Sequence, residues 1–258
     1  MKQGRLSQSL LFSESALVYI FLYAPIVILV IFSFNSSRYS IWENFSFQWY
    51  RSLFHNELIL RALRNSLIVA FAATIFSTIA GTLAALGMQR FEFRAKKGLD
   101  ALFYLPVIIP EIVMAASLVI FFGFIHMTLG MMTIILAHIA FCVSYVVIVV
   151  RARLEGFDRT LEEAAMDLGA NEIQTFFRIT LPLIFPGILS GALLAFTLSI
   201  DDYIITSFVA GVGSTTLPLQ IYSMVKTKVT PEINAVSTLL LIPTILLIIV
   251  SDRLQKKD

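Results

Sequence analysis

The sequence predicts an all-α membrane protein with six transmembrane helices, on three observations. The first is composition: of 258 residues, 58% are hydrophobic and 14% charged, with a mean hydropathy of +0.85. An ordinary soluble domain is roughly 45–50% apolar. The second is that apolar runs of about 20 residues, the length that crosses a bilayer, occur at 16–34, 66–89, 101–125, 131–150, 182–202 and 235–251. The third is the distribution of Lys and Arg. If the N-terminus is cytoplasmic, the inner segments hold 2 (N-terminal tail), 4 (90–97), 4 (151–178) and 3 (C-terminal tail), against 4 in 35–65 and 2 in 203–234 outside. Cytoplasmic loops carry the excess of basic residues, so both termini are expected inside.

Lys2 and Arg5 precede the first run. That run is too long for a cleaved leader and no small-x-small site follows it, so it is expected to be the first span. The loop at 35–65 combines Arg38, Arg51, Arg61 and Arg64 with Tyr39, Trp42, Phe45, Phe47, Trp49, Tyr50 and Phe54. Aromatic rings of this kind settle at headgroup depth, and contact with a soluble receptor is the other reading. The second span is rich in small residues (Ala70, Ala72, Ala73, Ala80, Gly81, Ala84, Ala85, Gly87), as is Gly187-x-x-x-Gly191 in the fifth. Such positions allow close helix approach, within this chain or to a second subunit.

Pro25, Pro106, Pro110, Pro186 and Pro243 fall inside spans, where the carbonyls they free need partners. Pro106 and Pro110 are expected to bracket one distorted turn. Glu111 follows, near the middle of the third span, and Asp201 and Asp202 close the fifth at its outer end. A carboxylate in the membrane costs about 2.5–3.5 kcal/mol, so these groups should face a polar cavity or a partner. Successive residues on a helix point about 100° apart, so one of the two aspartates is expected to face the pathway. A cationic cargo would explain all three, with Tyr104, Phe121, Phe122 and Tyr203 offering aromatic faces. The alternatives are a protonated Glu111 bonded to a freed carbonyl, and aspartates that are interfacial charge or a cap. His138, Phe141 and Tyr145 share one face of the fourth span; a titratable lining residue is one reading of His138, and a packed ring with its N–H on a neighbouring carbonyl is the expected one.

The polar stretch Arg151–Pro182 reads as two short helices. Thr160-x-x-Glu163 has the spacing of a capping box, Leu161, Ala164, Ala165 and Leu168 follow at helical spacing, and Gly169 suits a left-handed cap. Asn171-x-x-Gln174 opens a second helix with Ile173, Phe176 and Phe177 as its apolar face, and Pro182 is expected to prevent a simple continuation. Helices this short are marginal alone and must pack on something. The Ala164–Ala165 ridge, flanked by Glu162, Glu163 and Asp167, suits either a groove on a partner or the chain's own bundle. The lone Cys142 excludes a disulfide framework. No G-x-x-x-x-G-K-[ST] loop, metal-ligand cluster or nucleophile–His–acid set occurs, so no catalytic, metal or cofactor site is expected here.

Glu163-Ala164-Ala165, three residues, Gly169, nine residues and Ile179-x-Leu181-Pro182 resemble, position for position, the EAA motif of binding-protein-dependent ABC transporter permeases. The resemblance implies a type I ABC importer (MetI-like) permease fold with a cytoplasmic coupling segment at 155–182. Glu163, Ala164, Ala165, Asp167, Leu168 and Gly169 would form the contact with a separate ATPase, and ATP with Mg would bind there rather than here. The stretches 33–38, 49–50, 137–142, 196–202, 217–218, 221–226 and 231–235 resemble the polyamine branch of that family, the PotC/PotI-like permeases. That likeness implies a PotB/PotH-like second permease, a PotA/PotG-like ATPase dimer, a periplasmic PotD/PotF-like binding protein and a location in the bacterial inner membrane. The substrate-pathway candidates are Glu111, Asp201, Asp202, Tyr203 and Tyr104. Alternatives are a permease for ferric ion, thiamine or phosphonate, or an ion-coupled secondary transporter, although no repeated halves are visible.

Overall fold

A computed structural model describes residues 2–39, 41–227 and 231–255; the side chains of 2–10, 243 and 247–255, like the C-terminal Lys256 and Lys257, lie outside the described set. The described residues form helices, with a single isolated bridge between Asn35 and Phe45. In order these are α1 (Lys2–Phe32), α2 (Gln48–Leu53), α3 (Glu57–Arg90), α4 (Lys96–Ile108), α5 (Glu111–Phe124), α6 (Met131–Glu155), α7 (Thr160–Asp167) and α8 (Glu172–Thr175). A π turn (Phe176–Thr180), α9 (Leu181–Asp201), α10 (Ile204–Val209), α11 (Leu217–Thr227) and α12 (Pro231–Gln255) follow.

Four segments are long and apolar enough to cross a membrane: Leu11–Phe32, Glu57–Arg90, Met131–Glu155 and Glu172–Asp201. The expected third span, 101–125, is not one helix, because α4 and α5 meet at 114°. The break is chemical. Pro110 has no N–H to give and pushes the residue before it out of the helical region, and Ile109 (ψ 135°) and Pro110 (ψ 133°) are both extended. Counted as one broken crossing, the pair makes five; the sixth expected span lies on α12, whose side chains from 247 onward are outside the description. Helices also outrun the apolar stretches at their ends, α3 starting at Glu57 rather than 66 and α6 ending at Glu155 rather than 150.

The chain forms two compact units. One comprises residues 1–60 and 221–243, where Glu232 in the first turn of α12 accepts from Ser52 (3.1 Å) and Asn56 (3.3 Å). The other comprises 61–220 and 244–258 and contains the main apolar core, in which Ala137, Cys142, Val146 and Val150 of α6 pack with Ile184 and Ala195 of α9 and Val69 and Ala85 of α3. Several of the small residues noted in the sequence, Gly81, Ala85, Gly187 and Gly191 among them, serve contacts inside this unit, whereas Ala80 is exposed and Gly87 has open space beside it. A Cβ on Gly81 would lie 2.7 Å from Val146 and one on Gly191 3.4 Å from it, so Val146 is held between α3 and α9. Near the C-terminal end of α6, the Arg153 stem lies over Gly187 and its Nε donates to the Leu183 carbonyl at 3.2 Å.

Candidate functional site

Two places in the second unit gather the polar residues singled out above. The first is a cavity of about 370 Å³ between the α4–α5 break, α6 and the α9–α10 corner, lined by Glu111, Phe141, Tyr145, Asp201, Asp202 and Tyr203 among others. The same proline that breaks the third span places Glu111 as the first residue of α5, not mid-helix. There the positive end of the helix dipole favours a carboxylate, and Glu111 is exposed.

The two aspartates separate, as neighbours on a helix must. Asp201 is exposed and takes no ion pair among the described residues. Asp202, with a side chain only 6% exposed, turns into the protein. Its Oδ2 accepts from the Thr206 amide (2.8 Å) and hydroxyl (2.7 Å), its Oδ1 from the Ile205 amide (3.3 Å), and it thereby caps α10. His138 completes the corner. It is 1% exposed, its Nδ1 is 2.7 Å from the Ser199 hydroxyl, and its Nε2 is 3.0 Å from Thr206 Oγ1 and 3.3 Å from Asp202 Oδ2. Since the Thr206 hydroxyl spends its hydrogen on Asp202, its oxygen accepts from His138, so Nε2 carries the proton. The ring is packed as expected, but on hydroxyls and a carboxylate rather than on a carbonyl. It therefore joins both sides of the α9–α10 break to α6.

Tyr104 does not line the cavity. It precedes Pro106, which does, by two residues, about 200° around the helix. Phe122 is in the core and Phe121 is exposed elsewhere, so neither supplies an aromatic wall. Phe141 and Tyr145 do supply one. Their shared face with His138 was the available signal, and the lining role falls to the two rings rather than to the histidine.

The second place is a polar knuckle, 158–180. The Thr160–Glu163 capping box does not form: the Asp158 carboxylate takes the Thr160 amide at 3.0 Å and caps α7 in its place, while the residue next to the helix, Arg159, makes no side-chain cap. The Thr160 amide, with its hydroxyl, holds the Asp158 carboxyl below the usual carboxylate range. The end of α7 follows the sequence closely. Gly169 has φ +91°, and Ala170 N–H to Ala165 O (3.1 Å) with Gly169 N–H to Met166 O (2.9 Å) is a Schellman closure. Asn171 and Gln174 then cap α8 reciprocally at 2.8 and 3.1 Å. Pro182 does not interrupt the chain here. Leu181 N–H reaches back five residues to Phe176 O, and this wider turn carries the helix past a ring that would otherwise crowd the carbonyl four residues earlier. The expected apolar face of the second helix divides, because Ile173 and Phe177 are exposed while Phe176 packs on the core.

One acid of the knuckle points inward. Glu162 accepts from both Arg90 at the end of α3 and the buried Thr180, and Arg159 donates to the Gln89 carbonyl at 2.7 Å. With α7 tied down on that side, Glu163, Ala164, Asp167 and Gly169 are exposed, Ala165 is half-buried, and Leu168 is 90% exposed. In the sequence Glu162 reads only as an acidic flank.

A bundle of apolar helices with a broken third span, a carboxylate-lined cavity and an alanine-ridged knuckle describes the membrane subunit of a binding-protein-dependent importer. The chain belongs to that family: residues 77–257 match the model described as "binding-protein-dependent transport system inner membrane component". It is a multi-pass membrane protein and an ABC importer permease subunit rather than an enzyme. Among named relatives it is similar to the spermidine/putrescine transport system permease protein PotC of Haemophilus influenzae, 43% identical over 93% of this chain and 94% of that one. It is likewise similar to the putrescine transport system permease protein PotI of Escherichia coli K12, 45% identical over 86% and 82%. In fold it is similar to a bacterial alginate ABC importer (TM-score 0.77, 19% identity, 99% of this chain and 96% of that one) and to the MetNI methionine transporter (TM-score 0.64, 18% identity, 78% and 95%).

Proposed function

We propose that this chain is the permease subunit of an ATP-driven polyamine importer. The observation that carries the reading is the cavity: Glu111 and Asp201 face it beside Phe141, Tyr145 and Tyr203. An ammonium near a carboxylate gains about 4 kcal/mol of gross attraction at an effective dielectric of 20, before desolvation, and an aromatic face adds about 0.5–2 kcal/mol. A flexible chain bearing several ammonium groups can use several such contacts at once. The same acids would repel phosphonate, and the names borne by the PotC and PotI relatives point to the same cargo.

Movement is by alternating access. Both termini lie in the cytoplasm, which puts the knuckle where ATP is. A cargo-loaded PotD/PotF-like binding protein docks on the outer face of this subunit and a PotB/PotH-like partner. ATP with Mg closes a PotA/PotG-like ATPase dimer, and Glu163, Ala164, Ala165, Asp167, Leu168 and Gly169 receive that motion. The exposed Leu161, Met166 and Leu168 supply the apolar contact for such docking.

The test is uptake of labelled spermidine and putrescine by the assembled complex in proteoliposomes. Uptake should require ATP, binding protein and all subunits. Uptake by this chain alone under an ion gradient would overturn the reading in favour of a secondary transporter, and uptake of ferric ion, thiamine or phosphonate in place of polyamines would overturn the cargo.

A further inference from the structure

The segment after α1 is a closed aromatic cap rather than a loose loop, and it belongs wholly to the first compact unit. Asn35, fully buried, organises it: its side chain donates to the Ile41 carbonyl (2.8 Å) and accepts the Glu43 (3.0 Å) and Ser37 (3.3 Å) amides. Its own carbonyl accepts the Trp49 indole N–H at 2.6 Å. Ser36 N–H to Asn44 O (2.8 Å) and Ser46 N–H to Phe34 O (2.7 Å) close the two sides, and Gln48 takes the Ser36 carbonyl. Part of the polar backbone is thus spent inside. The exposed rings and aliphatic are Tyr39 (77% exposed), Ile41, Trp42, Phe45 (63%) and Phe47, with Arg38, Glu43, Asn44 and Gln48 exposed among them; Phe45 stacks on Phe34 at 5.2 Å and Phe47 meets it edge-on at 5.4 Å.

Water does not favour such a surface, and the position of the cap supplies another surrounding. The apolar part of α1, Leu11–Phe32, is 22 residues long, and none of its apolar window is buried within the protein. At 1.5 Å per residue it spans about 33 Å, close to the roughly 30 Å of a hydrocarbon core. Phe32 therefore reaches the hydrocarbon boundary at the end of α1 away from the N-terminus. Trp42 packs edge-on against Phe32 at 6.0 Å, so the cap begins where the hydrocarbon ends.

We propose that residues 33–39 and 41–50 form a lipid-binding cap that seats its aromatic face at the acyl–headgroup boundary, at the end of α1. Indole and phenol rings are preferred at that depth. Because several of the cap's amides and carbonyls are paired internally, partial immersion costs less than it would for an open loop. Exposed Arg38, next to Tyr39, supplies a cation for lipid phosphate. The proposal is independent of what the cavity carries.

Both tryptophans of the chain, Trp42 and Trp49, are in this segment, so the native protein reports on it directly. The full chain is reconstituted alone in phosphatidylcholine nanodiscs whose acyl chains are brominated either near the ester linkage or near the chain terminus, and tryptophan emission is read with and without aqueous iodide. The expected result is a clear loss of emission with bromine near the ester, a smaller loss with bromine near the terminus, and little quenching by iodide. Phe45→Ser with Phe47→Ser should reduce the bromine quenching and increase that by iodide. Emission untouched by either lipid and quenched by iodide overturns the proposal and assigns the face to a protein partner. Stronger quenching by the deep bromines overturns the boundary placement.

Discussion

The knuckle and the α9–α10 corner are both built from short helices around acidic residues, yet they dispose of their polar and apolar groups in opposite ways. At the corner His138, Ser199, Asp202 and Thr206 satisfy one another and leave Asp201 to the cavity. At the knuckle one acid, Glu162, is spent on anchoring, and the rest of α7 offers alanines, acids and bare Leu168 to the outside. An internally satisfied polar cluster is finished by its own chain. A rigidly capped helix with exposed apolar groups is finished only by another surface. Damage at the corner should therefore register in the stability of this subunit, and damage at the knuckle in the work of the complex.

The sharpest separation is expected from Ala164→Asp. It should abolish uptake and cargo-stimulated ATP hydrolysis in the assembled complex while the purified subunit melts as before; ordinary uptake would remove the knuckle from coupling. His138→Ala is the mirror case. Leaving the buried Asp202 and two hydroxyls short of a partner should cost about 3 kcal/mol, read as a lowered melting temperature of the detergent-solubilised chain, and an unchanged melt would mean that the corner is not a stabilising centre. Asp201→Asn and Glu111→Gln should each raise the half-saturating polyamine concentration about tenfold, a loss of about 1.4 kcal/mol, with the melt unaltered. Glu162→Ala sits between the two regions. Its pair with Arg90 is partly exposed, so about 0.5–1 kcal/mol is at stake, and a partial loss of coupling in the ATPase assay is expected.

The smallest effect concerns Asp158. Its folded-state pKa lies below the ordinary value of about 3.9, so the cap strengthens α7 at any pH above that value and weakens it only as pH falls through the lowered pKa. Amide exchange at Thr160 should accordingly be insensitive to Asp158 titration between pH 5 and 8, a window set by the ordinary and lowered values, and Asp158→Ala should speed it slightly.

Local chemistry with a short reach was legible in the sequence. The Gly169 cap and the Asn171–Gln174 box depend on residues within a turn of one another, and both are in place. The all-helical membrane fold was legible because hydropathy summed over about 20 residues overwhelms local detail. What failed depended on competition or on distance. Asp158 and Thr160 both suit a cap, and Asp158 takes the amide. Pro110 breaks its helix whereas Pro182 is carried by a wider turn, and nothing within either residue distinguishes the two. Glu162 looked like a flank because its partners, Arg90 and Thr180, lie 72 and 18 residues away. Tyr104 was grouped with the cavity by residue type, although its helix phase relative to Pro106 already turned it aside.

The π turn at 176–180 has a mechanical consequence. Because the chain does not stop at Pro182, Glu172–Asp201 is one rod of 30 residues, about 45 Å at 1.5 Å per residue, with the knuckle at one tip and Asp201 at the other. A small tilt imposed on the first tip becomes a displacement of the acid at the second. Thirty consecutive residues can thus serve as the crank between engine and load.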